Sequence, residues 1–364
     1  MEVRRVFEAG NQMQRRFREQ LTAGRLPQPS DLLNLTLGML GDSAEMASAL
    51  VTGRQAETNL REFQNKLHGL EWFGYVLPRA QLRDDAPLDD WLRRIELLNY
   101  DDRPWAAEGA GYQAARRAWL AGNIGRYLRE DLPSWSYIVL HTGLGMLVGE
   151  RIMERIVKPG DLIQSLARFC QLCLAHSRPG YEGCAVEPIG LVARTLHPHR
   201  IPEIDRIFAD IAPDLRDYFW HGIGRAAYFS PVNFMPWGLS AMRAIANARE
   251  QAPNEPARNN AVAGAAWAFT LVNLRTPDVM SLLLREHGGE LLADSAFANG
   301  VRSALTIWKE LQPQDPAMHR LLDILPPRLA PPEAPEVPFG AVFRYCPMHG
   351  SSLTVNQGNN GKVD

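Results

Sequence analysis

The sequence predicts an all-α protein built from repeated helical units. Three observations carry this: a glycine-marked phrase that recurs six times, apolar positions at helical spacing between the copies, and prolines where helices would start. The marker glycines are Gly109, Gly143, Gly183, Gly222, Gly264 and Gly300, separated by 34, 40, 39, 42 and 36 residues. That is the period of a two-helix unit with loops of variable length, so the expectation is an α/α hairpin solenoid or toroid over residues 95–325.

Each phrase reads as helix. Trp105-Ala-Ala-Glu-Gly-Ala-Gly111, Val139-Leu-His-Thr-Gly-Leu-Gly145 and Phe219-Trp-His-Gly-Ile-Gly224 continue apolar patterns that precede them. Between markers lie ordinary amphipathic stretches such as 161–170 and 204–211, with Pro159, Pro179, Pro202, Pro213 and Pro277 as turn and helix-start signals. A glycine inside a helix costs about 1 kcal/mol relative to alanine. Several units carry two, so close helix packing or a ligand against bare backbone must offset that cost.

Residues 1–94 read as an N-terminal helical cap, with Ser30 as a helix N-cap and breaks at 24–29 and 84–87. From 326 to 364 the composition turns to proline, then to asparagine and glycine, as in an extended tail. The net charge is −2, from 39 basic and 41 acidic side chains, which gives no general attraction for nucleic acid or anionic lipid. Apolar runs such as 138–147 are too short to span a bilayer, and the N-terminus has no apolar signal segment. With four cysteines, too few for a disulfide framework, the expectation is a cytoplasmic protein.

Two motifs invite other readings. Gly109-Ala-Gly-Tyr-Gln-Ala114 and Gly222-Ile-Gly-Arg-Ala-Ala227 match the letters of a dinucleotide fingerprint, but each lacks the strand that would precede it. Cys170, Cys173 and His176 resemble half of a zinc site that Cys346 and His349 could complete, yet the first two cysteines sit in an apolar helix as small core residues. No metal or cofactor is expected. Nucleophile elbows, Walker loops and the His-Glu-x-x-His phrase are absent from the sequence.

The candidate site comes from the repeats themselves. Glu108, His141, Glu182 and His221 stand one or two residues before marker glycines, and equivalent positions of successive units line one concave face. These four are the candidate acid/base groups. Gly109, Gly111, Gly143, Gly145, Gly222 and Gly224 would offer bare backbone to a ligand, with Arg225, Arg116 and the aromatic Trp220, Trp105, Tyr228 and Trp267 around it. Helix capping or core packing is the competing reading for each.

The ordered phrases Glu108-Gly-Ala-Gly, His141-Thr-Gly-Leu-Gly-Met, Gly180-Tyr-Glu-Gly, Trp220-His-Gly-Ile-Gly-Arg-Ala-Ala-Tyr-Phe and Ala263-Gly-Ala-Ala-Trp-Ala-Phe resemble the UnbL-type family of bacterial proteins encoded beside enediyne polyketide synthases. The likeness covers roughly residues 100–305. It implies an accessory protein of enediyne or related polyketide biosynthesis that binds or modifies a polyene, a hydrophobic small-molecule intermediate, and works beside other biosynthetic proteins. It supplies no catalytic residues. Lanthionine-synthesising cyclases also repeat glycine-rich inner helices, but their zinc-binding Cys-His-Gly phrase has only a distant echo in Cys346-Pro-Met-His-Gly350. A non-catalytic helical scaffold that grips a protein partner is the alternative.

Overall fold

A computed structural model describes residues 54–124, 128, 132–154, 161–234, 239–312 and 314–331. Among them the secondary structure is entirely helical. Ser30, the proline-rich stretch beyond 331, Cys346 and His349 lie outside the described residues.

The chain begins with α1 (Arg54–Gly74), followed by the short α2 (Val76–Arg79) and α3 (Leu88–Ile95). Then come α4 (Arg103–Leu120), α5 (Tyr137–Met153), α6 (Asp161–His176), α7 (Glu182–Val186), α8 (Pro188–Leu196) and α9 (Ile201–Ile211). The last are α10 (Arg216–Tyr228), α11 (Ser240–Gln251), α12 (Glu255–Asn273), α13 (Pro277–Ala293), α14 (Ser295–Leu311) and α15 (Pro316–Leu322). Local chemistry sets several boundaries. Asn254, Asp294 and Asp315 accept hydrogen bonds from the first free amides of α12, α14 and α15, and prolines open α8, α12, α13 and α15.

The glycine-bearing helices pack on one another in chain order: α4 on α5, α5 on α7 and α8, α8 on α10, α10 on α12, and α12 on α14. The glycines are where they touch. A Cβ built on Gly109 would stand 2.4 Å from the Phe73 carbonyl oxygen of α1, and one on Gly143 would meet the Gly111 and Tyr112 backbone of α4. Gly222, Gly264 and Gly300 meet the carbonyl oxygens of Glu187, His221 and Ala263, at 2.2, 2.0 and 2.2 Å. Each of these five faces backward, to the glycine-bearing helix before it, or to α1 in the case of Gly109.

The second glycine of each phrase faces forward. Gly111 abuts Leu140, Gly145 abuts the Ala185 carbonyl, and Gly224 lies under the Ala261 carbonyl, 1.8 Å from a hypothetical Cβ. In the third unit this forward role falls to Gly190, which packs on Phe219 and Gly222, whereas Gly183 faces only the Tyr218 ring. Gly183 is therefore not the third marker: Gly222 packs on the Glu187 carbonyl as Gly264 packs on that of His221, so the equivalent position is Pro188, five residues on. The glycines proposed as ligand contacts are occupied by neighbouring backbone, so helix packing accounts for them.

Residues from 72 to 95 share the same hydrophobic core: Trp72, Val76, Trp91, Leu92 and Ile95 form one cluster with Ala106, Leu140 and residues as far as Leu329. Helix α1 touches α4, α12 and α13. Gly224→Ala is expected to force α10 and α12 apart and to lower unfolding stability by about 1–3 kcal/mol or more. Gly289→Ala, on an open face of α13 with nothing near a built Cβ, is expected to raise stability by about 0.5–1 kcal/mol. Urea denaturation of both variants checks the contrast.

Candidate functional site

Three of the residues singled out from the sequence converge in the interior. Arg225 of α10 donates to the Glu108 carboxylate of α4 and, at 3.2 Å, to Glu187 at the junction of α7 and α8. His221 Nδ1 lies 3.2 Å from the other Glu187 oxygen. All four side chains are at least nine-tenths buried. Glu108 and Arg225 are 117 residues apart, so this contact joins non-successive units.

Glu187 was not among the sequence candidates. Its Glu-Pro step looks like helix punctuation, but its backbone is helical and α7 runs into α8 there. The Glu187 carbonyl is also the surface against which Gly222 packs, which brings its carboxylate beside His221 and Arg225.

His141 and Glu182 go elsewhere. His141 Nδ1 contacts the Tyr137 carbonyl at 2.7 Å, its Nε2 accepts from the Arg178 amide at 3.0 Å, and the ring stacks on Tyr181. Glu182 accepts from the Gly180 amide in its own turn. The reason is phase: the residue immediately before a backward-facing glycine points inward, as Glu108, Thr142 and His221 do. His141 is one step earlier, a rotation of about 100°, and Glu182 precedes the glycine that does not play the marker role. Trp220 also points away, donating at 2.6 Å to Asp205, which Arg216 clamps with two hydrogen bonds. Arg116 reaches only Gln113.

Two carboxylates face one guanidinium here, and the imidazole decides the balance. Burial pushes the Glu108 carboxyl up, against the pull of Arg225. Burial also raises Glu187, but Arg225 and His221 together outweigh it and hold that group below its ordinary value. The two shifts run in opposite directions, so a proton taken up by the cluster goes to Glu108 before Glu187. One proton per cluster keeps the buried charge near zero, which a low-dielectric interior demands.

Beside the cluster lies a small cavity of about 30 Å³, walled by Trp105, Glu108, Arg225, Trp267, Ile307 and Trp308. Space of this size admits water. Arg225 lies over the Trp267 ring at 5.4 Å, and the indole N–H of Trp267 has no acceptor among the described residues. A protonated carboxyl on an aromatic wall is able to donate a proton or hydrogen bond to a carbonyl or an olefin, which is general-acid chemistry. A larger depression, about 520 Å³ and lined in part by Trp119, Ile152 and Arg168, contains none of these groups.

A second buried polar set ties α1 to the rest. Glu62 accepts from the Tyr228 hydroxyl at 2.8 Å and from the Ser240 amide and hydroxyl, while Lys66 donates to Ser240 Oγ and to the Asn233 carbonyl. Burial pulls the Lys66 ammonium down to about 7, with Glu62 opposing. The Lys66 ammonium also stands 3.9 Å from the centre of the Tyr228 ring.

The cysteines that suggested half a metal site are buried thiols: Cys173 donates to the Ala185 carbonyl, and burial pushes Cys170 up to about 12. Among the described residues the trio close enough to share a cation is instead His68, Asp101 and Asp102. There His68 already bonds Asp102 at 2.6 Å, and Asp101 faces Arg275 at 3.6 Å. No described helix is long and apolar enough to cross a membrane. No family model, curated protein or solved structure matches the chain.

Two tests follow from these charges. Glu187→Gln is expected to cost about 3–5 kcal/mol, since it removes the counter-charge of a buried guanidinium. Glu108→Gln, which replaces a group already pushed toward its neutral form, is expected to cost under half of that, and equal losses in guanidinium denaturation would refute the assignment of the proton. The second test concerns His141, which burial lowers to about 4. The unfolded chain binds the proton first, so its stabilisation is complete above about pH 6.5 and is lost as pH falls toward 4. His141→Gln is expected to flatten the fall in thermal midpoint between pH 7 and pH 4.5.

Proposed function

We propose that the chain is an accessory protein of enediyne or related polyketide biosynthesis, which binds a hydrophobic intermediate inside a toroid of glycine-coupled helices. The toroid is inferred from the chain-order packing of α4 to α14 and from the Glu108 to Arg225 bond that spans it. The ordered glycine phrases and their resemblance support the biosynthetic setting.

The observation that carries the reading is the Glu108, Glu187, His221 and Arg225 set on an aromatic-walled cavity. Buried ion clusters contribute little to stability compared with apolar packing of the same volume. Perturbed titratable groups lining a cavity are the usual mark of a binding or catalytic site. At about 30 Å³ the cavity has room for water alone, so a polyene enters by displacing wall side chains such as Leu271, Ile307 and Leu311.

The scaffold reading draws support from that same small volume and from glycines consumed by packing. One experiment separates the two: purification of the full chain from cells that run a polyene-forming synthase, followed by organic extraction and absorption spectroscopy. A conjugated chromophore near one equivalent, reduced in the Ile307→Trp variant, is the expected result. A protein recovered at fixed stoichiometry with no chromophore would move the assignment to a scaffold.

A further inference from the structure

The cavity has a neighbour on its outer side. A cleft of about 310 Å³ is lined by Tyr100, Arg103, Trp135, Leu311 and Gln312, with Glu96 and Ser134 at its edges. Leu311 lines both spaces.

Three segments show that cleft and cavity lie in line. On α4, Arg103 is in the cleft, Pro104 and Trp105 are at the near end of the cavity, and Glu108 is one turn deeper. Along the chain entering α5, Ser134 and Trp135 are in the cleft and Ile138, Val139 and Thr142 follow in the cavity. On α14 the order runs the other way, from Ile307 and Trp308 in the cavity to Leu311 and then Gln312 in the cleft. The buried Leu311 side chain is the partition between them.

The cleft holds unused donors. Arg103 gives Nε to the Leu98 carbonyl at 2.8 Å and Nη1 to Gln312 at 3.3 Å, and its guanidinium lies over the Tyr100 ring at 4.6 Å. That leaves Nη2 without a partner among the described residues. The Trp135 indole N–H is buried and has no acceptor among the described residues, just as the Trp267 N–H on the cavity wall has none among them. A buried N–H left without an acceptor is costly, and two of them on either side of one leucine call for acceptor atoms on a guest. Glu96 is exposed, where water screens its charge.

Resting on the reading of the interior as a small-molecule site, we propose that the guest is a linear apolar carboxylate. Its carboxylate is held in the cleft by Arg103 and the Trp135 N–H, and its chain passes Leu311 into the aromatic cavity. Arg103 to Glu108 spans about 8 Å along the helix axis, so the tail is a chain of several carbons that ends against the Glu108 carboxyl. The planar guanidinium with an indole N–H beside it suits two carboxylate oxygens.

The test uses sorbic acid, a six-carbon conjugated diene carboxylate, and its methyl ester, titrated calorimetrically against the full chain. The acid is expected to bind at least tenfold more tightly than the ester. Arg103→Met is expected to weaken the acid tenfold or more and leave the ester unchanged, and Leu311→Trp is expected to abolish both. Circular dichroism confirms that each variant is folded; should Arg103→Met not fold, Trp135→Phe removes one donor and is expected to narrow the gap between acid and ester. Equal binding of acid and ester, with both blocked by Leu311→Trp, overturns carboxylate recognition while the interior site stands. Binding of neither by the wild-type chain overturns the interior site itself, and this inference with it.

Discussion

Residues two apart on a helix point about 200° from each other, so a helix with glycine at both positions presents bare backbone on two opposite flanks. Gly109 and Gly111, Gly143 and Gly145, and Gly222 and Gly224 use this geometry, one member packing on the glycine-bearing helix or α1 before it and the other on the one after. The conformational cost of each glycine, near 1 kcal/mol, is offset by dispersion and Cα–H···O contacts along the whole length of the approach. A methyl group at Gly224 would overlap the Ala261 carbonyl, so these interfaces fix the inter-helix distances, and with them the positions of everything the helices carry inward.

The interior follows from that constraint. Once the two flanks of a helix are committed to its neighbours, the residue before the backward-facing glycine has only the inside to face. Where that residue is Ala263 the inside is apolar, and where it is Glu108 or His221 a titratable group is forced into it. The buried groups survive because they pair: Arg225 reaches from α10 to both carboxylates, and burial raises the proton affinity of Glu108. Without the close approach of α10 to α8 at Gly222 and Gly190, Glu187 would not stand within reach of either partner.

Much of this was visible in the chain. The helical class, the glycine-bearing helices and three of the four cluster residues follow from the glycine phrases. What failed did so for definable reasons. Gly190 escaped notice because the third phrase is split by Glu187 and Pro188, and Gly183 supplied a false marker. His141 lies in the right phrase at the wrong phase, so that its imidazole bonds backbone at Tyr137 and Arg178 instead of lining the interior. The Glu62, Lys66, Tyr228 and Ser240 set was invisible in principle. Its members are four residues apart on α1 but more than 160 residues from their partners, and no local pattern announces such a pairing.

The glycine contacts also decide where the structure is able to yield. From α4 through α14 each successive interface has backbone against backbone at one or more glycines, where no side-chain rotation can make room. Between the last of these helices, α14, and the start of α5 the packing is by side chains, Leu311 and Trp135 among them, and the cleft is found there. A leucine repacks by rotation at a cost of about 1 kcal/mol, whereas parting two glycine-coupled helices breaks an entire interface. Access to the Glu108 carboxyl is therefore cheapest past Leu311, on the one flank of the interior that glycine does not lock.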